Sequence, residues 1–149
     1  MSSEHVLPFE TTLKVRDACL CLHLQRAARK AARRFDEALR PLGLTSGQFS
    51  LLMSLNRPPP AATIGSVASL LAMDRTTLTA NLKPLARRGL VTVAVDPDDR
   101  RSRHLTLTTS GHRLLLAAAP VWRREHAAIE GLLAGADPER LRADLRALS

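Results

Sequence analysis

Apolar residues recur at spacings of three and four from Thr11 to Leu39, at Leu13, Ala18, Leu20, Leu24, Ala28, Ala31, Phe35 and Leu39, with no Pro or Gly between them. That period predicts one long helix. PLG breaks it, and Thr45 is placed to cap a second helix whose apolar side is Phe49, Leu52, Met53 and Leu55. NRPPPAA follows as a rigid extended connector. Thr63 then caps a short helix with Ile64, Val67 and Leu71 inward, AMD makes a tight break, and a new helix begins at Arg75 behind Asp74. At about 100° per residue, Leu78, Leu82 and Leu85 share one face of that helix, and Thr76, Ala80, Lys83 and Arg87 share the opposite one. Gly89 after two arginines stops it.

From Leu90 the period shortens to two. LVTVAV and HLTLT flank the charged turn PDDRRS, which predicts a β-hairpin with a charged tip. Thr109 or Ser110 opens another helix, expected to run to about Leu133 with Leu115, Ala119, Trp122, Ala127, Ile129 and Leu133 as its apolar material and a kink at Pro120. GADPERL resets the chain into a last helix. The fold class is mainly α with one small β-hairpin.

A chain of 149 residues fits one domain of usual size. Its net charge of +8, with a pI near 11.1, favours a polyanionic partner. Lys14, Lys30 and Lys83 are the only lysines, so arginine carries nearly all the positive charge, and its fixed fork suits phosphates and base edges. The longest apolar run, Leu114 to Val121, is too short to cross a bilayer, and the start of the chain lacks a basic flank and an apolar signal core, so a cytoplasmic protein is expected. Cys19 and Cys21 lie two apart in a helical segment, where they face different ways and can neither form a disulfide with each other nor chelate one metal. The basic run Arg26, Arg29, Lys30, Arg33 and Arg34 reads most simply as a solvated helix face, with phosphate or partner contact as the other option. Five histidines with no pair at i, i+4 predict no metal site, and no cofactor is expected.

Helix, short turn, helix and basic hairpin form a groove-reading arrangement for double-stranded DNA. The reading surface falls on Arg75, Thr76, Thr77, Thr79, Ala80 and Lys83. Their hydroxyls and methyls suit base edges, the cations suit guanine or phosphate, and small residues allow close approach. The hairpin tip offers Arg100, Arg101 and Arg103, and an arginine on a thin loop can enter a narrow minor groove. Asp96, Asp98 and Asp99 repel phosphate unless they pair with those arginines and orient them. An enzyme would need a positioned base, nucleophile or metal, and no such constellation is present.

LTSGQFSLLMSL, IGSVASLLAMDRTTLTANLKPLARRGLV and DPDDRRSRHLTLTTSG, in that order and spacing, resemble the MarR family of winged helix-turn-helix transcription regulators. The resemblance is close from Leu44 to Gly111. It implies a homodimer with an N-terminal arm and dimerisation helix over 1–44, a winged DNA-binding lobe over 45–108 and C-terminal dimerisation helices over 109–149. It also implies that Asp74 to Lys83 read the major groove, that Arg101 enters the minor groove, and that Asp99 steadies that arginine. Pro84 is unusual inside such a helix, because it removes one backbone hydrogen bond.

The function expected from the resemblance is a repressor on a pseudo-palindromic operator, released by a small aromatic or phenolic effector. Arg16, His23, Phe49 and Trp122 are the candidate pocket residues, with ordinary core packing as the alternative for each. Cys19 and Cys21 are expected to be buried as small apolar residues. The alternative is a thiol that senses oxidants, with Arg16 or His23 lowering its pKa; relatives of that kind hold the cysteine with tyrosine hydroxyls, and this chain has no Tyr. A winged-helix DNA binder without small-molecule control is the remaining reading.

Overall fold

A computed structural model describes residues 6–149; the first five residues of the expected N-terminal arm lie outside it. Helices α1 (Phe9–Ala18) and α2 (Leu20–Leu39) stand where one long helix was expected. Cys19 separates them with an extended ψ of 112°. The Cys19 carbonyl accepts the backbone N–H of His23 and, at 2.7 Å, its ring Nδ1–H, so one turn of α2 is tied to the break itself. No helix breaker marks this position in the sequence. The correction comes from a local side-chain to backbone bond, in a stretch where α1 buries no residue that would hold it in line.

A 3₁₀ turn (Arg40–Leu42) leads into α3 (Ser46–Ser54), which begins at a reciprocal cap. Gln48 N–H donates to the Thr45 hydroxyl and Thr45 N–H donates to the Gln48 side-chain oxygen, both at 3.1 Å. Phe49, Leu51, Leu52 and Leu55 are buried; Met53, expected inward, is exposed, and Leu51 takes its place in the core. Strand β1 (Ala62–Thr63) and helix α4 (Ile64–Leu70) follow, with a second such cap between Thr63 and Ser66. Ala72, at φ +50°, turns the chain into α5 (Arg75–Arg87), and the expected leucines Leu78, Leu82 and Leu85 are its buried face.

Gly89, at φ +71°, ends α5 in the left-handed conformation that a side chain would resist. Strands β2 (Val91–Val95) and β3 (Arg103–Leu107) form the hairpin in register, Val91 opposite Leu107 and Val95 opposite Arg103. A third strand was not expected: β1 pairs with the other edge of β3, placing β3 at the centre of the sheet. Two residues are too few for alternation to show in a sequence.

Helix α6 (Thr109–Gly131) runs through Pro120, and α7 (Pro138–Ala147) starts at an Asp137 cap. Two bonds join the α6 start to the hairpin's entry, and a third caps the helix on the Thr108 hydroxyl. Thr108 N–H donates to the Leu90 carbonyl, the Thr108 hydroxyl donates to Gly89 at 2.6 Å, and Gly111 N–H donates back to that hydroxyl. A Cβ on Gly111 would lie 2.1 Å from the Leu90 oxygen, so only glycine lets the helix approach the hairpin this closely.

The core joins α2 to α6 and the sheet through Leu39, Leu52, Val67, Leu78, Leu85, Leu105, Leu115 and Ala118. Helices α1 and α7 bury nothing. Among the described residues, no helix is long and apolar enough to cross a membrane. Gly111→Ala is expected to cost about 2–3 kcal/mol, read as a lower denaturation midpoint, because the added methyl meets rigid backbone; an unchanged midpoint would show that the junction yields.

Candidate nucleic-acid interface

Helix α5 is fixed at its start by one carboxylate. Asp74 accepts the Thr77 backbone N–H at 2.8 Å and the Thr77 hydroxyl at 2.7 Å, and these two bonds hold its pKa below the usual carboxylate range. With three leucines buried behind it, the helix turns the remaining side chains outward. Arg75, Thr76, Thr77, Thr79, Ala80 and Lys83 are all exposed.

These six residues are not equally free. The Thr77 hydroxyl proton is committed to Asp74, and the Thr79 hydroxyl donates to the Arg75 carbonyl at 2.8 Å. Both oxygens keep lone pairs for an incoming donor. The Arg75 guanidinium lies over Gly65, whose missing Cβ would sit 3.0 Å from it, so this arginine is braced against α4. Thr76, Ala80 and Lys83 form the unobstructed centre, and Arg87 continues the same face one turn further on.

The hairpin tip spans residues 96–102. Its three aspartates do not pair with its arginines. Asp96 accepts from the Asp98 backbone N–H at 2.8 Å and from His104 Nε2–H at 3.0 Å, and these contacts, the backbone one first, hold its pKa below the usual range. Asp99 accepts the Arg101 backbone N–H at 3.0 Å. It therefore steadies the chain at Arg101 rather than the guanidinium, a correction to the expected acid–arginine pairing. The aspartates are short enough to close turns on their own backbone, which competes with reaching an arginine. Arg103 also differs from expectation: its guanidinium donates to the carbonyls of Arg100 and Ser102 and braces the loop from within. Arg100 and Arg101 remain as exposed side chains at the tip. The Asp96–His104 contact escaped sequence reading because the two are eight residues apart and meet only when the hairpin closes.

Of the four candidate pocket residues, the structure brings two together. Phe49 and Trp122 line one groove of 360 Å³ with Met53, Leu70 and Leu71, between α3, α4 and α6. Arg16 is paired with Asp17 on the surface of α1, and His23 caps the Cys19 break, so neither reaches that groove. The break at Cys19 divides the helix expected to carry both Arg16 and His23, leaving Arg16 on α1 and His23 on α2. Trp122 stacks on His126 at a ring separation of 4.6 Å.

Cys19 is half-buried and Cys21 exposed, against the expectation that both are buried. They sit where the chain leaves α1, and α1 covers nothing. In the basic run, Arg34 pairs with Glu125 of α6 at 2.7 Å and holds that carboxyl below its usual pKa. Arg26, Arg29, Lys30 and Arg33 are exposed and, among the described residues, have no ion-pair partner.

The architecture and this surface agree with what the chain is similar to. The family model described as MarR family matches residues 42–102. The M. tuberculosis transcriptional regulator MosR, in complex with DNA, is 37% identical with a TM-score of 0.77, covering 87% of this chain and 92% of that one. A mutant MarR from E. coli complexed with operator DNA is 25% identical with a TM-score of 0.73, covering 91% and 94% of the two chains. The transcriptional activatory protein BadR of Rhodopseudomonas palustris is 34% identical over 97 residues, which is 64% of this chain and 55% of that protein. The chain thus spans little more than half the length of that relative, and the relatives are transcription regulators rather than enzymes. Two capped helices, the second with an exposed face of small and basic side chains, a hairpin with arginines at its tip and this set of similarities lead to one assignment: the chain belongs to the MarR family of winged-helix transcription regulators.

Proposed function

We propose that the protein is a sequence-specific regulator that binds a pseudo-palindromic operator as a homodimer, represses from it, and is released by a small aromatic effector. The observation that carries this is the α5 face, where Thr76, Ala80 and Lys83 stand clear of the core beside a hairpin tip bearing Arg100 and Arg101. A helix with small side chains fits the major groove, and the tip arginines fit the narrower minor groove next to it. A DNA partner supports a cytoplasmic location.

Dimerisation through 1–44 and 109–149 is supported by α1 and α7, which bury no side chain within one chain. Phe9 and Val15 on α1, and Leu141 and Leu145 on α7, expose apolar surface that a second copy would cover. The groove lined by Phe49, Leu70, Leu71 and Trp122 supports an aromatic effector, because it lies where the reading lobe meets α6. A ligand wedged there would change how the lobe sits on the helices that pair the two copies, and with it the spacing of the two α5 helices. The exposed thiol of Cys21 supports oxidant sensing as a second reading.

The deciding experiment is binding to the intergenic DNA upstream of the protein's own coding sequence against a shuffled duplex at several salt concentrations. A preference of about a thousandfold or more is expected; equal affinity would overturn the assignment of sequence specificity. Arg101→Ala should weaken operator binding by about tenfold, whereas Lys83→Ala should change base preference if the lysine reads an edge and only the salt slope if it holds a phosphate. Arg101→Ala with unchanged affinity would remove the hairpin from the interface. Leu141→Asp with Leu145→Asp should convert the dimer to monomers in sedimentation and leave helical content intact, since α7 buries nothing within one chain; a dimer that persists would place the interface elsewhere.

A further inference from the structure

Proline at position 84 lies inside α5, and the helix continues past it to Arg87. An α-helix bonds each carbonyl to the amide four residues on, and proline has no amide hydrogen, so the Ala80 carbonyl loses its helical donor. Ala80 and Pro84 are both exposed and project from the side of α5 opposite the three buried leucines. The freed oxygen therefore lies on the reading face, where solvent-side carbonyls tilt outward.

The side chains around it offer little else at this turn. Ala80 contributes only a methyl, which brings the backbone closer to a groove floor than any longer residue would. Asn81, one residue on, directs its side-chain N–H toward the Met73 sulfur at 3.7 Å, back across the turn. An alanine at 84 would make a better helix, so packing does not call for the proline, whose ring is exposed and fills no core.

We infer that the Ala80 carbonyl oxygen, left without its helical donor by Pro84, is a base-reading acceptor in the recognition helix. Its partner is an exocyclic amine in the major groove, the N4 of cytosine or the N6 of adenine, met directly or through one water. This inference rests on the proposal that α5 reads DNA. It adds a backbone acceptor to a surface whose side chains are mainly hydroxyls, methyls and cations.

The test compares base preferences over a library of all single-base variants of the operator. Pro84→Ala restores the amide and closes the helical bond, so preference for cytosine or adenine at one position per half-site should fall about fivefold, the worth of one hydrogen bond. Preferences elsewhere and the salt slope should stay as in the wild type. Lactic acid installed at 84 as a backbone ester has neither ring nor amide hydrogen; it should keep the wild-type profile, which separates the acceptor from the ring and from any bend it imposes. A Pro84→Ala profile identical to wild type, or an ester profile that follows Pro84→Ala, would overturn the inference while leaving α5 as the reader. A wild-type protein with no base preference at all would overturn both. Folding does not obscure the result, because alanine favours the helix more than proline does.

Discussion

The structure depends on one close approach of backbone to backbone, where the first turn of α6 meets Leu90. Thr108 is bonded to both Gly89 and Leu90, and Gly111 has no Cβ to hold the helix off. At this point the end of α5, the entry to β2, the exit from β3 and the start of α6 share one set of hydrogen bonds. Leu90 N–H also donates to the Leu85 carbonyl, which closes α5 onto the same junction. Helix α5 and the hairpin therefore cannot turn independently of each other or of α6. In the proposed mechanism this makes an effector useful: anything that tilts α6 against α3 and α4 moves α5 and the hairpin tip as one body.

Charge is arranged by the same economy of short contacts. Three of the four aspartates near the exposed face of α5 and the hairpin tip are occupied by nearby polar groups: Asp74 caps α5, Asp96 receives Asp98 N–H and His104, and Asp99 receives Arg101 N–H. Their negative charge shapes the turns and neutralises none of the arginines. Arg103 is used to brace the loop, which leaves Arg100 and Arg101 as the cations a phosphate or a minor groove would meet. The net charge of +8 thus predicts the class of partner, while the hydrogen bonds decide which cations are available to it.

How far the sequence revealed this depends on the distance between the interacting residues. Thr45, Thr63 and Asp74 were readable as caps because a cap and its amide are three residues apart, and the α5 leucines because helical spacing repeats. The hairpin was readable from its change of period. The break at Cys19 was not, because the sequence on either side is good helix and the bond from His23 forms only once the chain has bent. Strand β1 depends on a partner about forty residues away, and the Asp96–His104 contact on a closed hairpin. Among the pocket candidates, Phe49 and Trp122 came together through packing of α3 on α6, which no local pattern encodes; Arg16 and His23 were assigned on an assumed straight helix and fell elsewhere.

The division between the lobe and the terminal helices has an energetic basis. Nearly all fully buried side chains lie between Leu39 and Ala118, so the core that specifies the lobe is complete within one chain. Helices α1 and α7 gain nothing from that core; α7 is tethered to α6 by Arg142, which bonds Glu130 at 2.7 Å and Glu139 of its own helix. Solvent-screened ion pairs of this kind contribute too little to fix α7 against water. The apolar residues of α1 and α7 are therefore the part of the molecule whose burial is unfinished. In the proposed homodimer that burial would come from the second copy, so the association proposed to align two α5 helices on one duplex would also complete the packing of each chain.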